Sequence, residues 1–378
     1  MSSDTRSVGG TEDHDDDDVV VSLSDVEVHF DVGGGLFSEG DVVQAVDGVS
    51  LDVEENDVVA LVGESGCGKT TLGKTAIGAQ RPTSGTVSYR GQDVWEARGR
   101  GGNPDIPFEE IRRSLQIIHQ DPGASLNPNK TVMHTLSVPL EMTEPEMDAF
   151  DRRERVYEML SRVGMEPPKD YANRYPHQLS GGEQQRVALI RALLMNPDVI
   201  LADEAVSALD VSLRIDMMDL MLELQDQFNT SYLFVSHNLS NASYIAGKSG
   251  GRIGVMYLGE LVEIGPIDEV MENPQHPYTE VLRWAAPNLD PDADTGYESP
   301  LRKIDIPDPQ NPPTGCRFHT RCPEAREVCK QRPPVTDIDE EGTHRVACYR
   351  AVDDHEYWDS PELTDEDFED DEDADAAS

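Results

Sequence analysis

The sequence predicts an α/β fold centred on a parallel sheet. Three observations carry that reading. First, Gly63-Glu64-Ser65-Gly66-Cys67-Gly68-Lys69-Thr70 spells the phosphate-loop pattern G-x-x-x-x-G-K-T. It follows the apolar run Val58-Val59-Ala60-Leu61-Val62 and leads into Thr71-Leu72-Gly73-Lys74-Thr75-Ala76-Ile77, which can continue as a helix. Second, three more short apolar runs, at 115–119, 199–203 and 232–236, suit buried strands and pass directly into polar or acidic residues. Third, residues 123–178 change character, with amphipathic segments such as 152–163, several prolines and few β-branched runs. A strand, a glycine loop and a helix start aim backbone N–H groups at the positive end of a helix, where nucleotide phosphates are held. Lys69 would reach the β- and γ-phosphates, and Thr70 would place its hydroxyl on Mg²⁺.

The bulk composition narrows the class. The chain has 378 residues, 37% of them apolar, with a formal net charge of −43. A phosphate backbone attracts a basic surface, so nucleic acid is not an expected partner. Acid spread along the whole chain resembles cytosolic proteins of salt-loving organisms. Such a surface repels itself at low ionic strength, and high salt mutes the repulsion. No stretch approaches ~18 uninterrupted apolar residues, so no membrane span is expected. The polar N-terminus lacks the apolar core of a signal peptide.

In chain order, residues 1–19 are acidic and unpatterned, consistent with disorder. Residues 20–30 alternate as a strand ending at Phe30. Residues 42–46 and 49–53 read as two strands with an Asp47-Gly48 turn. The phosphate loop and its helix follow, then a turn at 81–85 and a strand at 86–89. Residues 96–108, rich in Gly and Arg, read as a surface insertion. Strand 115–119 ends at Gln120-Asp121-Pro122, and a helical insert spans about 123–185. Leu179-Ser180-Gly181-Gly182-Glu183-Gln184-Gln185-Arg186 precedes a helix expected over 186–194; alone, Ser with a following Glu is equally a helix cap. Asp203 and Glu204 end an apolar strand, as a metal-binding carboxylate at the edge of a parallel sheet would; solvated acids at a strand end are the plainer alternative. Ser207-Ala208-Leu209-Asp210 opens a helix reaching Gln227. His237 closes the next strand, a place where structural histidines are also common. Residues 247–251 read as an extra loop, and 252–265 as a hairpin bending at Leu258-Gly259-Glu260.

Taken together, the phosphate loop, the Gln after a strand, LSGGEQQR, LADE, SALD and the strand-terminal His resemble the ATP-binding cassette ATPases over residues 21–265. The resemblance implies a P-loop NTPase core with a helical subdomain and an antiparallel β subdomain. It implies that Phe30 stacks on adenine, and that Gly63 to Thr71 together with Gln120 bind ATP. It implies that Thr70, Gln120 and Asp203 serve Mg²⁺ and water positioning. Glu204 would be the general base and His237 the switch histidine on the γ-phosphate. Ser180, Gly181, Gly182 and Glu183 would form a signature loop acting on ATP in a partner's site, with Ser207 to Asp210 as the D-loop. Two positions depart from the family pattern: Ala205 stands where Pro is usual, and Asn238 where Asp commonly follows the histidine. Neither removes a reacting group.

The C-terminal part narrows the resemblance. Asn273-Pro274-Gln275-His276-Pro277-Tyr278-Thr279 and the cysteines Cys316, Cys322, Cys329 and Cys348 are similar to the extension of oligopeptide and dipeptide importer ATPases, with 266–350 as that extension. The cysteine spacing is not the paired C-x2-C of a usual zinc ribbon. Four thiolates can hold zinc or an iron–sulfur cluster; the resemblance favours a [4Fe–4S] cluster, and four free buried thiols are the alternative. Cys67 is expected to ligate nothing. Residues 351–378 are expected to be a disordered acidic tail. The resemblance thus implies a peripheral ATPase on the cytoplasmic face of the cell membrane. Its partners would be a second cassette ATPase in a heterodimer, two transmembrane permeases and an extracytoplasmic binding protein. Nickel or another small solute is an alternative cargo, and a soluble non-transport cassette ATPase in DNA repair or translation is the reading from another class.

Overall fold

The computed structural model describes residues 18–32, 41–99, 104–286, 301–302 and 305–368. The expected disorder of residues 1–19 falls almost wholly outside them. Strand β1 (Val19–Val32) pairs antiparallel with β2 (Asp41–Glu54), and Phe30 lies opposite Val43. Where two strands and an Asp47-Gly48 turn are expected, β2 runs through as one strand. The register slips between Val26↔Val49 and Val28↔Val46, and Gly48 adopts a positive φ of 65°. The glycine therefore makes a bulge rather than a reversal, because β1 offers partners on both sides of it.

The parallel sheet begins with β3 (Val58–Val62), followed by helix α1 (Lys69–Ala76). Strands β4 (Ser84–Tyr89) and β5 (Gln92–Asp93) join β1 and β2 in an antiparallel sheet ordered β2-β1-β4-β5. Overlapping the start of the insertion expected at 96–108, the short helix α2 (Val94–Arg98) is capped by Asp93 through the Trp95 and Glu96 N–H groups, and α3 (Phe108–Ser114) begins where that stretch ends. Strand β6 is Leu115–Ile118.

The helical layer comprises α4 (Pro122–Ser125), α5 (Val132–Thr143), α6 (Ala149–Arg162), α7 (Pro168–Ala172) and α8 (Gly181–Leu193). Val156, Met159 and Leu160 bury one face of α6, at the helical spacing its sequence shows. Helix α8 starts five residues before the expected Arg186. Ser180 accepts the Glu183 N–H while the Glu183 carboxylate accepts the Ser180 N–H, and this capping box offsets two helix-weakening glycines.

Strands β7 (Val199–Asp203) and β8 (Ser231–Val235) flank helix α9 (Val211–Phe228), and α10 (Leu239–Ser249) follows β8. The residues read as an extra loop are the last turn of α10 and its cap: Gly250 takes φ 67° and donates its N–H to the Ala246 carbonyl. Glycine suits that left-handed cap, which explains a loop-like composition at a helix end. Strands β9 (Arg252–Tyr257) and β10 (Glu260–Pro266) form the hairpin.

Central strands are parallel in the order β9-β3-β8-β7-β6, so their carboxyl ends line one edge. Their side chains alternate between two cores. Val58, Ala60, Val62, Ile200, Ala202, Tyr232 and Phe234 face the helical layer. Val59, Leu61, Val199, Leu201, Leu233 and Val235 face α1 and the antiparallel sheet.

Beyond the hairpin come α11 (Ile267–Glu272), α12 (Pro277–Ala285) and two short strands, β11 (Thr336–Asp337) and β12 (Arg345–Val346). The strands extend the central sheet past β10, with Glu263 opposite Val346. The tail differs from the expected disorder as far as Phe368. Tyr357, Leu363 and Phe368 are buried, and Arg326 donates to the Trp358 and Ser360 carbonyls. Large apolar side chains spaced among the acids give this stretch surface to bury. Residues beyond 368 lie outside the described part. Among the described residues, no helix is long and apolar enough to cross a membrane.

Candidate active site

The phosphate loop is shaped by backbone crowding. Gly63, Gly66 and Gly68 adopt φ of 150°, 82° and 105°. A Cβ on Gly63 would lie 2.1 Å from the Met256 carbonyl oxygen, and one on Gly68 2.0 Å from that of Ala45. The loop therefore closes on β9 and β2 at distances only glycine permits. Lys69 is buried, and its ammonium donates to the Gly63 and Glu64 carbonyls, each at 2.8 Å. Cys67 is buried beneath it, 3.6 Å from Nζ; burial pushes its thiol up, against the pull of the Lys69 charge. Ser65 and Gly66 are exposed at the loop's crest, and Thr71 is half-buried in the first turn of α1.

The sheet brings the other groups to this loop. Thr70 Oγ1 donates to Asp203 Oδ1 at 2.7 Å. A hydroxyl against a carboxylate is an oxygen-rich corner suited to Mg²⁺. Glu204 follows at φ 51°, its N–H donating to the Val235 carbonyl at 3.1 Å. Its own carbonyl accepts from the Ser207 N–H at 3.0 Å and the Ser207 hydroxyl at 2.8 Å. Glu204 Oε2 lies 3.2 Å from His237 Nδ1. Thus Lys69, Thr70, Asp203, Glu204 and His237 stand along one edge of the parallel sheet. Gln120 lies exposed just past β6 on that same edge. Phe30 is 39% exposed near the end of β1.

The signature residues belong to the helical layer. Ser180 and Gly181 are exposed at the start of α8, and Glu183 also accepts from the Tyr171 hydroxyl at 2.8 Å. These bonds hold the carboxyl of Glu183 below its ordinary range, against the effect of burial. A Cβ on Gly182 would touch Leu213 at 3.6 Å and Leu209 at 3.9 Å, so signature and D-loop are neighbours. Asp210 caps α9 by accepting the Leu213 N–H, and Ala208 lies between it and Ser207.

The four cysteines of the extension gather around Cys316. Burial, then the nearness of Cys348, Cys322 and Cys329, pushes its thiol well up. Burial raises Cys322 to about 12 and Cys348 to about 11. All are free thiols. Among the described residues, no three Cys, His, Asp or Glu side chains converge closely enough to hold a metal ion. The four thiols are thus grouped around Cys316, and no chemical step is assigned to a metal there.

One set of contacts escapes sequence reasoning. The Arg321 guanidinium forks onto Glu64 at 2.9 and 3.0 Å, and the Glu64 N–H donates to the Tyr278 hydroxyl at 2.9 Å. Arg317 reaches the Leu258 carbonyl, Gln44 and Asp47. The cysteine spacing marks the extension as a unit, but nothing in one sequence pairs residues 257 positions apart.

Comparison with known proteins agrees with this geometry. Residues 46–207 match the family described as ABC transporter. Residues 262–329 match the oligopeptide/dipeptide transporter C-terminal region. The chain is 41% identical over 334 residues to the oligopeptide transport ATP-binding protein AppF of Bacillus subtilis, covering 88% of this chain and 97% of that one. It is 40% identical over 336 residues to the di/tripeptide transport ATP-binding protein DppF of Pseudomonas aeruginosa, covering 88% and 98%. Among solved structures, a dimeric post-hydrolysis state of the ATP-binding cassette MJ0796 bound to ADP and Pi is similar. Its TM-score is 0.54 at 28% identity, covering 65% of this chain and 98% of that one.

Proposed function

This chain belongs to the ATP-binding cassette transporter family, and on that premise we propose that it is the ATP-hydrolysing subunit of an importer for di- and oligopeptides. The observation that carries the chemistry is the Glu204–His237 pair on the edge that also holds the phosphate loop. Phosphoryl transfer to water needs positioning and charge stabilisation more than covalent participation. Lys69 and the loop N–H groups bind the phosphates, and ATP entry exchanges the Lys69 bonds to Gly63 and Glu64 for bonds to phosphate oxygens. Thr70, Asp203 and Gln120 are the residues that would hold Mg²⁺, which when bound would neutralise developing phosphate charge. Glu204 takes the proton of the attacking water. His237 orients that carboxylate and contacts the γ-phosphate, and Phe30 stacks on the base.

The exposed start of α8 supports a head-to-tail pair, in which Ser180, Gly181 and Gly182 present a helix N-terminus to ATP held by a partner. The similar MJ0796 cassette is dimeric, which supports the same arrangement. A different ATPase chain is proposed as that partner. A groove of about 680 Å³ between core and helical layer supports docking on permeases. Apolar Val138, Pro139 and Met142 meet Arg112, Arg113 and Arg191 there, a basic rim on a strongly acidic chain. The proposed location is the cytoplasmic face of the membrane, with a binding protein outside delivering peptide. Purification of the tagged chain from native membranes in high salt is expected to recover two multispanning permeases, a second cassette ATPase and an anchored binding protein. Recovery with ribosomes or DNA-processing proteins and no permease would overturn the transport reading.

A [4Fe–4S] cluster, with zinc the alternative, is proposed for the four cysteines. Support comes from their free thiols and from the nearness of Cys316 to the other three. Iron and sulfide assay of anaerobically purified chain decides it: zinc alone, or no metal, removes the cluster.

A further inference from the structure

Glu64 is an awkward residue for a phosphate loop. It adds a negative charge to the loop that is to bind a triphosphate, and like charges at close range in a partly buried site cost binding. Its side chain is 26% exposed, so solvent screens it incompletely. The extension supplies what offsets this charge. Arg321 is 3% exposed and forks onto both Glu64 oxygens, at 2.9 and 3.0 Å. Bidentate guanidinium–carboxylate pairing fixes geometry as well as charge. Arg321 is itself held: its guanidinium lies 5.7 Å from the Tyr257 ring centroid, 5.8 Å from that of Phe318, and 3.2 Å from the Tyr257 hydroxyl. Tyr278 packs on the same two rings, with centroids at 4.7 and 5.3 Å, and its hydroxyl accepts the Glu64 N–H. The Glu64 carbonyl accepts from Lys69. One loop residue is therefore tied by its side chain and its N–H to the extension, and by its carbonyl to the phosphate-binding lysine.

We propose that Arg321 is a positioning residue for nucleotide, acting through Glu64: it cancels the loop's carboxylate charge and, with Tyr278, sets the loop in the form that admits the triphosphate. The extension thereby tunes ATP affinity from outside the cassette motifs. This rests on the ATP-binding reading above and adds a residue to it.

The test is a double-mutant cycle on the full chain, reading equilibrium ATP binding in the presence of Mg²⁺. R321M is expected to weaken binding about tenfold in the wild-type background. In the E64Q background the same change is expected to weaken it by less than about twofold, because no charge remains to cancel. A purely structural Arg321 would weaken binding equally in both backgrounds, and that result, or unchanged binding in R321M, overturns the proposal. R321K covers the case of an R321M chain that does not fold. It keeps the charge and loses the fork, and should stay within about threefold of wild type; a tenfold loss in R321K that persists in the E64Q background overturns the proposal equally. A wild-type chain that bound no ATP would remove the cassette reading itself, a separate and recognisable failure.

Discussion

Glu204 holds a left-handed backbone conformation that a residue with a side chain adopts only when its surroundings impose it. The Val235 carbonyl takes its N–H and Ser207 takes its carbonyl, so the carboxylate's direction is fixed from both sides. Its pairing with His237 at 3.2 Å fits the proposed role of proton acceptor. E204Q keeps the shape and removes the basicity, so turnover should fall by roughly 10²–10⁴-fold while ATP still binds. Single-turnover hydrolysis at the wild-type rate would remove the base assignment. Gly68 gives a second test at this scale. G68A drives a Cβ to 2.0 Å from the Ala45 carbonyl oxygen in a backbone conformation that strains any side chain. ATP binding and melting temperature should both drop, measurable by titration and calorimetry.

Helix α12 is capped by His276, whose Nδ1 accepts the Tyr278 N–H at 3.0 Å. The imidazole must be neutral to accept, and burial lowers its pKa from 6.5 to about 4, with Glu263 opposing and Arg350 assisting. A histidine depressed on folding stabilises the native state fully above its unfolded pKa and loses that contribution as pH falls toward the folded value. The melting temperature of wild type should therefore fall faster than that of H276N between pH 6.5 and about 4, since asparagine caps without titrating. Parallel curves would contradict the cap. Legibility also divides at this scale. Strands β3, β7 and β8 are readable because each is a short apolar run buried throughout, while β6 is only partly buried at the sheet edge; the proposed site residues follow their ends. Helix α8 was misjudged because Gly181 and Gly182 weaken a helix by propensity, while the capping box that rescues them depends on side-chain geometry. The bulge at Gly48 and the cap at Gly250 were misread for one reason: a glycine's role depends on what its neighbours pair with. The 351–368 stretch was misread because its charge outweighs Tyr357, Leu363 and Phe368 in any composition average.

For the whole molecule, a net charge of −43 is the dominant unfavourable term of its surface. Exposed acids repel across distances that high salt screens to about 3 Å at 1 M. The melting temperature should rise steeply from about 0.1 M to about 3 M KCl, with the screening portion complete by about 1 M; equal values would show that the surface does not govern stability. The placement of the extension also sets an order of assembly. It supplies β12 and β11, which cover the edge of β10, and Arg321, which completes the phosphate loop. Glu64 leaves the ribosome 257 residues ahead of its guanidinium partner. At about 5–20 residues per second, that interval is roughly 13–50 s. Throughout it the nascent phosphate loop carries an uncompensated carboxylate, and from residue 266 until β12 is made the edge of β10 is uncovered as well. The loop thus gains its partner only once residue 321 has been made, and a chain cut short before that residue would expose an edge open to pairing with its neighbours.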